Sequence, residues 1–137
     1  MVKPEVIRRR FEKLDEYLTI LNRLKKYSYE DLISDPEHYG SAERFLHLAI
    51  EAITDVGNHI IAEEQLGVIN WYSDIPSILA TEKVISAEQR DIWIRLIGFR
   101  NTLVHEYIDV DLEIVYRVLQ EGLPDLKAIR RSLAAYL

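Results

Sequence analysis

The sequence predicts an all-α bundle of about five helices, and three observations lead there. Apolar residues recur at threes and fours through most of the chain, the period of a helix with one buried stripe. Serine and aspartate stand where those stretches begin, able to accept hydrogen bonds from the first unpaired amides. Against these patterns no strand-like alternation, fixed-period repeat or low-complexity tract survives. Helix-on-helix packing is then the only layer type available.

From Pro4 to Lys26 the stripe is Val6, Ile7, Phe11, Leu14, Leu18, Leu21 and Leu24. Pro4 suits the first helical turn, where its missing N–H would be unpaired anyway. Tyr27 to Leu32 reads as a short helical turn, and Ser34-Asp35-Pro36 as a break. A second long helix, from Pro36 or Ser41 to Glu64, carries Phe45, Leu48, Ala49, Ala52, Ile53, Val56, Ile60 and Ile61. Gly57 inside it lowers helix propensity by up to about 1 kcal/mol, so it marks a close approach between helices. Gly67 is placed for a left-handed cap. After a loop over 66–73, a short helix runs from Asp74 to Val84, opened near Ser73. Ser86-Ala87-Glu88-Gln89 fits a capping box and starts a helix to about His105. Asp109 and Asp111 mark the start of a last helix, bent at Gly122-Leu123-Pro124.

Composition bounds the function. At 137 residues the chain is one domain, 1–137, long enough to bury roughly two-thirds of its unfolded surface without a metal or disulfide. It has no cysteine, which excludes a disulfide scaffold, a thiolate metal site and a cysteine nucleophile, and suits a reducing compartment. No segment resembles a signal peptide or a membrane span, so a cytoplasmic protein is expected. The net charge of −6 runs against a general nucleic-acid binder, which carries a basic excess. Contact with RNA would need local positive charge, a second subunit or a partner. No phosphate-cradling glycine loop or serine nucleophile elbow is present.

The chemistry concentrates in Gly98-Phe99-Arg100-Asn101-Thr102-Leu103-Val104-His105-Glu106-Tyr107. On a helix, Tyr107, Arg100, Val104, Asn101 and His105 fall within an arc of about 160°, with Leu96, Phe99 and Leu103 opposite. Arg100 and His105 sit about 140° apart, flanking a groove. A guanidinium fork binds phosphate oxygens bidentately and keeps its charge. An imidazole exchanges protons near neutral pH. Together they can cleave RNA without metal: His105 handles the 2′-hydroxyl or leaving-group proton, Arg100 stabilises charge on the phosphate, and Asn101 orients either. Taken alone, an arginine five residues before a histidine is a common pattern and seldom a catalytic one.

The context is more specific. The stretch resembles the Arg-x4-His motif of the HEPN superfamily, and Gly98-Phe99-Arg100-Asn101-x-Leu103-Val104-His105-x-Tyr107 is similar to the HepT family, the toxin half of HepT–MntA toxin–antitoxin pairs. The likeness extends to Ala42-Glu43-Arg44-Phe45-Leu46, to Ala49-Ile50-Glu51-Ala52-Ile53-x-Asp55, and to Val115-Tyr116 and Leu123-x-Asp125-Leu126. It implies a homodimeric HEPN bundle, a ribonuclease needing no metal or other cofactor, with motif residues of two subunits meeting in a cleft. It implies RNA, tRNA among the candidates, as substrate, and an MntA-like nucleotidyltransferase antitoxin that attaches AMP to the motif tyrosine, here Tyr107. The rival is a non-catalytic interaction module of the same fold, binding its partner or a nucleotide, and the negative charge favours it.

Other features are weighed against plainer readings. His47, Glu51, Asp55 and His59 recur at intervals of four. They form a solvated ladder of helix pairs in preference to a metal site, with Glu51 or Asp55 available to support the motif. Arg8-Arg9-Arg10 and Lys25-Lys26 read as an exposed helix side before an RNA edge. Trp71 and Tyr72 read as a plug over a helix end or a subunit contact before a base-stacking pair.

Overall fold

The computed structural model describes residues 4–105 and 110–137, and among these the chain forms six α-helices and no strand. They are α1 (Pro4–Leu24), α2 (Tyr29–Ser34), α3 (Pro36–Glu64), α4 (Asp74–Thr81), α5 (Ala87–His105) and α6 (Leu112–Tyr136). The all-helical expectation holds, with one helix beyond the expected five or so. Tyr107, the expected modification site, and Asp109 lie outside the described residues.

Five of the seven residues of the predicted α1 stripe, Ile7, Phe11, Leu14, Leu18 and Leu21, form its buried face against α3 and α6, while Val6 and Leu24 are half-buried. Each such side chain stabilises by about 1.5–3 kcal/mol on full burial, against tenths per residue from helix propensity, so this seam decides the helix. Helix α2 follows from a cap and one anchor. Ser28 Oγ accepts from Asp31 N at 3.2 Å, and Leu32 is fully buried. Tyr27, assigned to this turn from sequence, precedes it and stacks on His38, ring centroids 3.9 Å apart. Asp35 then caps α3 by accepting from Glu37 N at 2.9 Å, with Pro36 in the first turn.

The end of α3 corrects one expectation. The left-handed cap is Gln65 (φ 53°, ψ 48°), whose N–H bonds back to Ile61 O, and Gly67 instead lies against the Ile78 side chain. Helix α4 corrects another. Ser73 makes no side-chain cap; Asp74 Oδ2 accepts from both Asn70 N and Trp71 N at 2.9 Å, so the aspartate ties down the loop before the helix. The helix ends at Thr81, three residues short of Val84, and Lys83 turns the chain at φ 62°.

The capping box is present in full: Gln89 N donates to Ser86 Oγ at 3.1 Å and Ser86 N to Gln89 Oε1 at 3.0 Å. Asp111 caps α6 by accepting from Glu113 N at 3.0 Å. Helix α6 then continues as one element through Pro124, which faces solvent.

Helix α3 is the spine, packed against each of the other five helices. Two features fix α5 against it. Trp93 is fully buried, its Nε1–H donating to Thr54 Oγ1 at 3.1 Å, while Thr54 donates to Ile50 O at 2.7 Å. Gly57 is the close-approach point that its position suggests: a Cβ there would stand 2.7 Å from Ile75 Cγ2 and 3.0 Å from Trp93 Cη2. Among the described residues no helix is long and apolar enough to cross a membrane.

Candidate active site

Leu96 and Ile97 anchor α5 in the core, with Phe99 and Leu103 packed against it half-buried. One turn further on, that anchoring carries the Arg100 side chain toward α3, where Glu51 waits. Arg100 Nη2 donates to Glu51 Oε1, and Nη1 donates to Asn101 Oδ1 at 3.0 Å. The guanidinium also lies over the Tyr72 ring, 5.3 Å from its centroid. Only 15% of the Arg100 side chain is exposed, and its Nε is buried without a partner. A guanidinium has five N–H donors, so two engaged in this way leave three, one of them the buried Nε–H.

Behind Arg100 a cleft of about 10 Å³ is lined by Glu51, Thr54, Asp55, Tyr72 and Ile97. That is room for about one water, so any ligand must reach the arginine from its outer side. His105, the last residue of α5, stands exposed, about 7.5 Å further along the helix axis. Asn101 is exposed as well and accepts the bond from Arg100 Nη1. The expected trio therefore shares one end of one helix, with the arginine held and the histidine open.

Of the ladder on α3, the first two members meet. His47 Nε2 is 3.3 Å from Glu51 Oε1, within ion-pair distance but not aligned for a hydrogen bond. Burial pushes the Glu51 carboxyl up, yet the Arg100 hydrogen bond and the nearby Arg100 and His47 together outweigh it and hold its pKa below the ordinary value. Asp55 lines the same cleft, and there burial wins: its pKa is raised, Arg10 opposing, Glu51 adding and Arg100 opposing. Two neighbouring carboxylates are thus pushed apart, Glu51 anionic against the arginine. Among the described residues no cluster of three or more His, Asp or Glu is arranged around a metal position.

The remaining sequence features sort differently. Arg8 and Arg9 share a surface groove with Glu5 and Glu12, so acidic side chains break up that basic run. Sequence reasoning named Glu51 as a supporter but missed the ring of Tyr72 on the arginine. Only the fold of the loop over 66–73 brings that ring there.

The geometry makes Glu51 the anchor of Arg100. Glu51→Gln keeps the shape and removes the charge, leaving a half-buried guanidinium without its counter-ion. We expect a loss of about 1–2 kcal/mol at neutral pH, discounted because the Glu51 side chain is 38% exposed. Because the folded pKa of Glu51 lies below its ordinary 4.5, the pair stabilises the fold above that value. The contribution fades as pH falls through the lowered pKa. Urea denaturation across acid pH should show a shallower acid limb for the variant; parallel curves would remove Glu51 from this role.

The chain matches the family described as Ribonuclease HepT-like over residues 11–133. It is 28% identical over 138 residues to the tRNA nuclease HepT of Aphanizomenon flos-aquae, covering 99% of this chain and 92% of that protein. It is 34% identical over 82 residues to the mRNA nuclease HepT of Shewanella oneidensis, covering 60% and 62% of the two. Its fold superposes with a TM-score of 0.87 on the tri-AMPylated Shewanella oneidensis HEPN toxin solved in complex with MNT antitoxin, at 25% identity over 95% of this chain and 97% of that one.

Proposed function

This chain belongs to the HepT-like ribonuclease family, and from that premise we propose that it is a metal-independent endoribonuclease toxin, acting in the cytoplasm as a homodimer with Arg100, Asn101 and His105 as its catalytic group. The observation that carries the reading is the held arginine beside the open histidine. Glu51 and Tyr72 fix the guanidinium, and His105 is exposed one and a half turns away.

His105 takes the proton from a ribose 2′-hydroxyl as its oxygen attacks the adjacent phosphorus. The bond from phosphorus to the 5′-oxygen breaks, and that oxygen takes up a proton from a second acid, the same histidine of the other subunit. Arg100 neutralises charge growing on the non-bridging oxygens. The products are a 2′,3′-cyclic phosphate and a free 5′-hydroxyl. Glu51 and Asp55 support the arginine from α3. The relatives named for tRNA and for mRNA nuclease activity keep both RNA classes open, tRNA being the substrate matched over nearly the whole chain.

A partner nucleotidyltransferase of the MntA type restrains the toxin by attaching AMP to Tyr107. Support comes from the AMPylated HEPN toxin in complex with MNT antitoxin and from Tyr107 lying two residues beyond His105. Mass spectrometry after co-expression with such an enzyme should find one or more AMP groups on Tyr107; an unmodified tyrosine beside an active partner removes this mechanism.

A second reading is favoured by the net charge of −6: a non-catalytic module that binds the same partner. Inducing the chain alone in a bacterial host separates the two. Growth arrest with new RNA ends, absent for Arg100→Ala and His105→Ala, is the expected result. Normal growth and intact RNA at good soluble expression would transfer the activity to the partner.

A further inference from the structure

The loop over 66–73 exposes more apolar surface than its length warrants. Val68 is 78% exposed, Trp71 74% and Tyr72 51%, three of the most exposed large apolar side chains among the described residues. Three such side chains on one short loop form an exposed apolar patch, the kind of surface that marks a contact. The loop is also pre-shaped: Asp74 Oδ2 accepts from Asn70 N and Trp71 N at 2.9 Å, and Asp74 N and Ile75 N donate back to Trp71 O and Tyr72 O. A contact made here therefore loses little further backbone freedom.

What the loop meets is set by its neighbour. Tyr72 lies under the Arg100 guanidinium and lines the same cleft. One face of Tyr72 carries Arg100, and Trp71 is the next residue on the same pre-shaped loop, its side chain open to solvent. We propose that Trp71 is the base-stacking platform of this site, holding an unpaired nucleobase adjacent to the phosphate that Arg100 engages, with Tyr72 as the positioning residue that joins platform to arginine. The ligand class is single-stranded RNA, taken up by a base whose π-face is free.

Local contacts must make up for the overall charge. At net charge −6 the chain gains little from counterion release, so affinity for RNA must come from something other than bulk charge. Stacking on an aromatic side chain supplies it and accepts any base. The proposal rests on the ribonuclease reading of Arg100 and His105, and deepens it by naming what holds the substrate.

The test uses a built-in contrast. The chain has two tryptophans, and Trp93 is fully buried and bonded to Thr54. Fluorescence that iodide can quench therefore comes from Trp71. A short single-stranded oligoribonucleotide of mixed sequence, added to the full chain carrying His105→Ala so that it is bound without cleavage, should quench that emission and shield it from iodide. Adding Trp71→Ala should weaken binding about 5- to 100-fold, and Trp71→Phe should recover most of it. The slope of log K against log salt should not change, since stacking releases no counterions. In the cleaving protein, Trp71→Ala should raise KM with kcat little altered.

Cleavage that needs Arg100 and His105 but is indifferent to Trp71→Ala would overturn the platform and leave the ribonuclease reading standing. So would a shift from dimer to monomer in sedimentation with RNA affinity unchanged, which would place a second copy of the chain on this loop. If the unaltered chain neither binds nor cleaves RNA, both fall together.

Discussion

Purified His105→Ala is expected to cleave RNA about 10²- to 10⁴-fold more slowly than the unaltered chain while melting at the same temperature. The range is that of a positioned acid–base group. The unchanged stability follows from the structure: His105 is the last residue of α5 and exposed, outside the core that Trp93, Leu96 and Ile97 make from the same helix. Arg100→Ala should be as slow and also less stable, since it leaves the Glu51 carboxylate without the arginine that, together with His47, offsets its burial. Arg100→Lys separates charge from shape. A lysine keeps the cation but cannot donate from a planar fork to Glu51 and Asn101 at once, so most of the rate should stay lost. Steady-state cleavage with a thermal melt for each variant makes the comparison. A His105→Ala protein that cleaves at the native rate would move the acid–base role to another group.

How much of this could be read from the chain depends on how far apart the interacting residues lie. The stripe of α1, the Ser86–Gln89 box and the Asp111 cap join residues within a turn or two of each other, and each was legible. The Arg-x4-His spacing is local too, and its placement at the end of α5 followed. What escaped was set by tertiary packing. Glu51 and Arg100 are 49 positions apart, and Trp93 and Thr54 are 39 apart. The sequence offered Glu51 and Asp55 equally as supporters; only the register of α3 against α5 gives Glu51 the hydrogen bond. Caps misread from sequence share a cause, since Gly67 and Ser73 are good cap residues by type. The chain leaves α3 at Gln65 and spends Asp74 on the loop instead.

Replacing Gly57 by Leu is expected to destabilise the fold strongly. On an exposed helix face, removing a glycine would add up to about 1 kcal/mol of stability. Here even the first added carbon has no room. It would meet Ile75 Cγ2 at 2.7 Å, Trp93 Cη2 at 3.0 Å and Leu79 Cδ1 at 3.1 Å. All three neighbours are themselves almost fully buried, so none can swing into solvent. Gly57→Ala sets the small propensity gain against overpacking of about 1–3 kcal/mol, for a net loss near 1 kcal/mol. Gly57→Leu adds three more carbons to the same place and must push α4 off the spine. Several kcal/mol should be lost, at about 3 °C of melting temperature for each. The effect should reach the site, because α4 begins where the loop bearing Tyr72 ends, and Tyr72 supports Arg100. Trp93 reports the damage directly: its emission should shift to the red and open to iodide as α4 separates from α3. A Gly57→Leu protein that melts with the native chain and keeps Trp93 shielded would show that the seam between α3, α4 and α5 has room for the added side chain, and the reading of Gly57 as a close-approach point would fail.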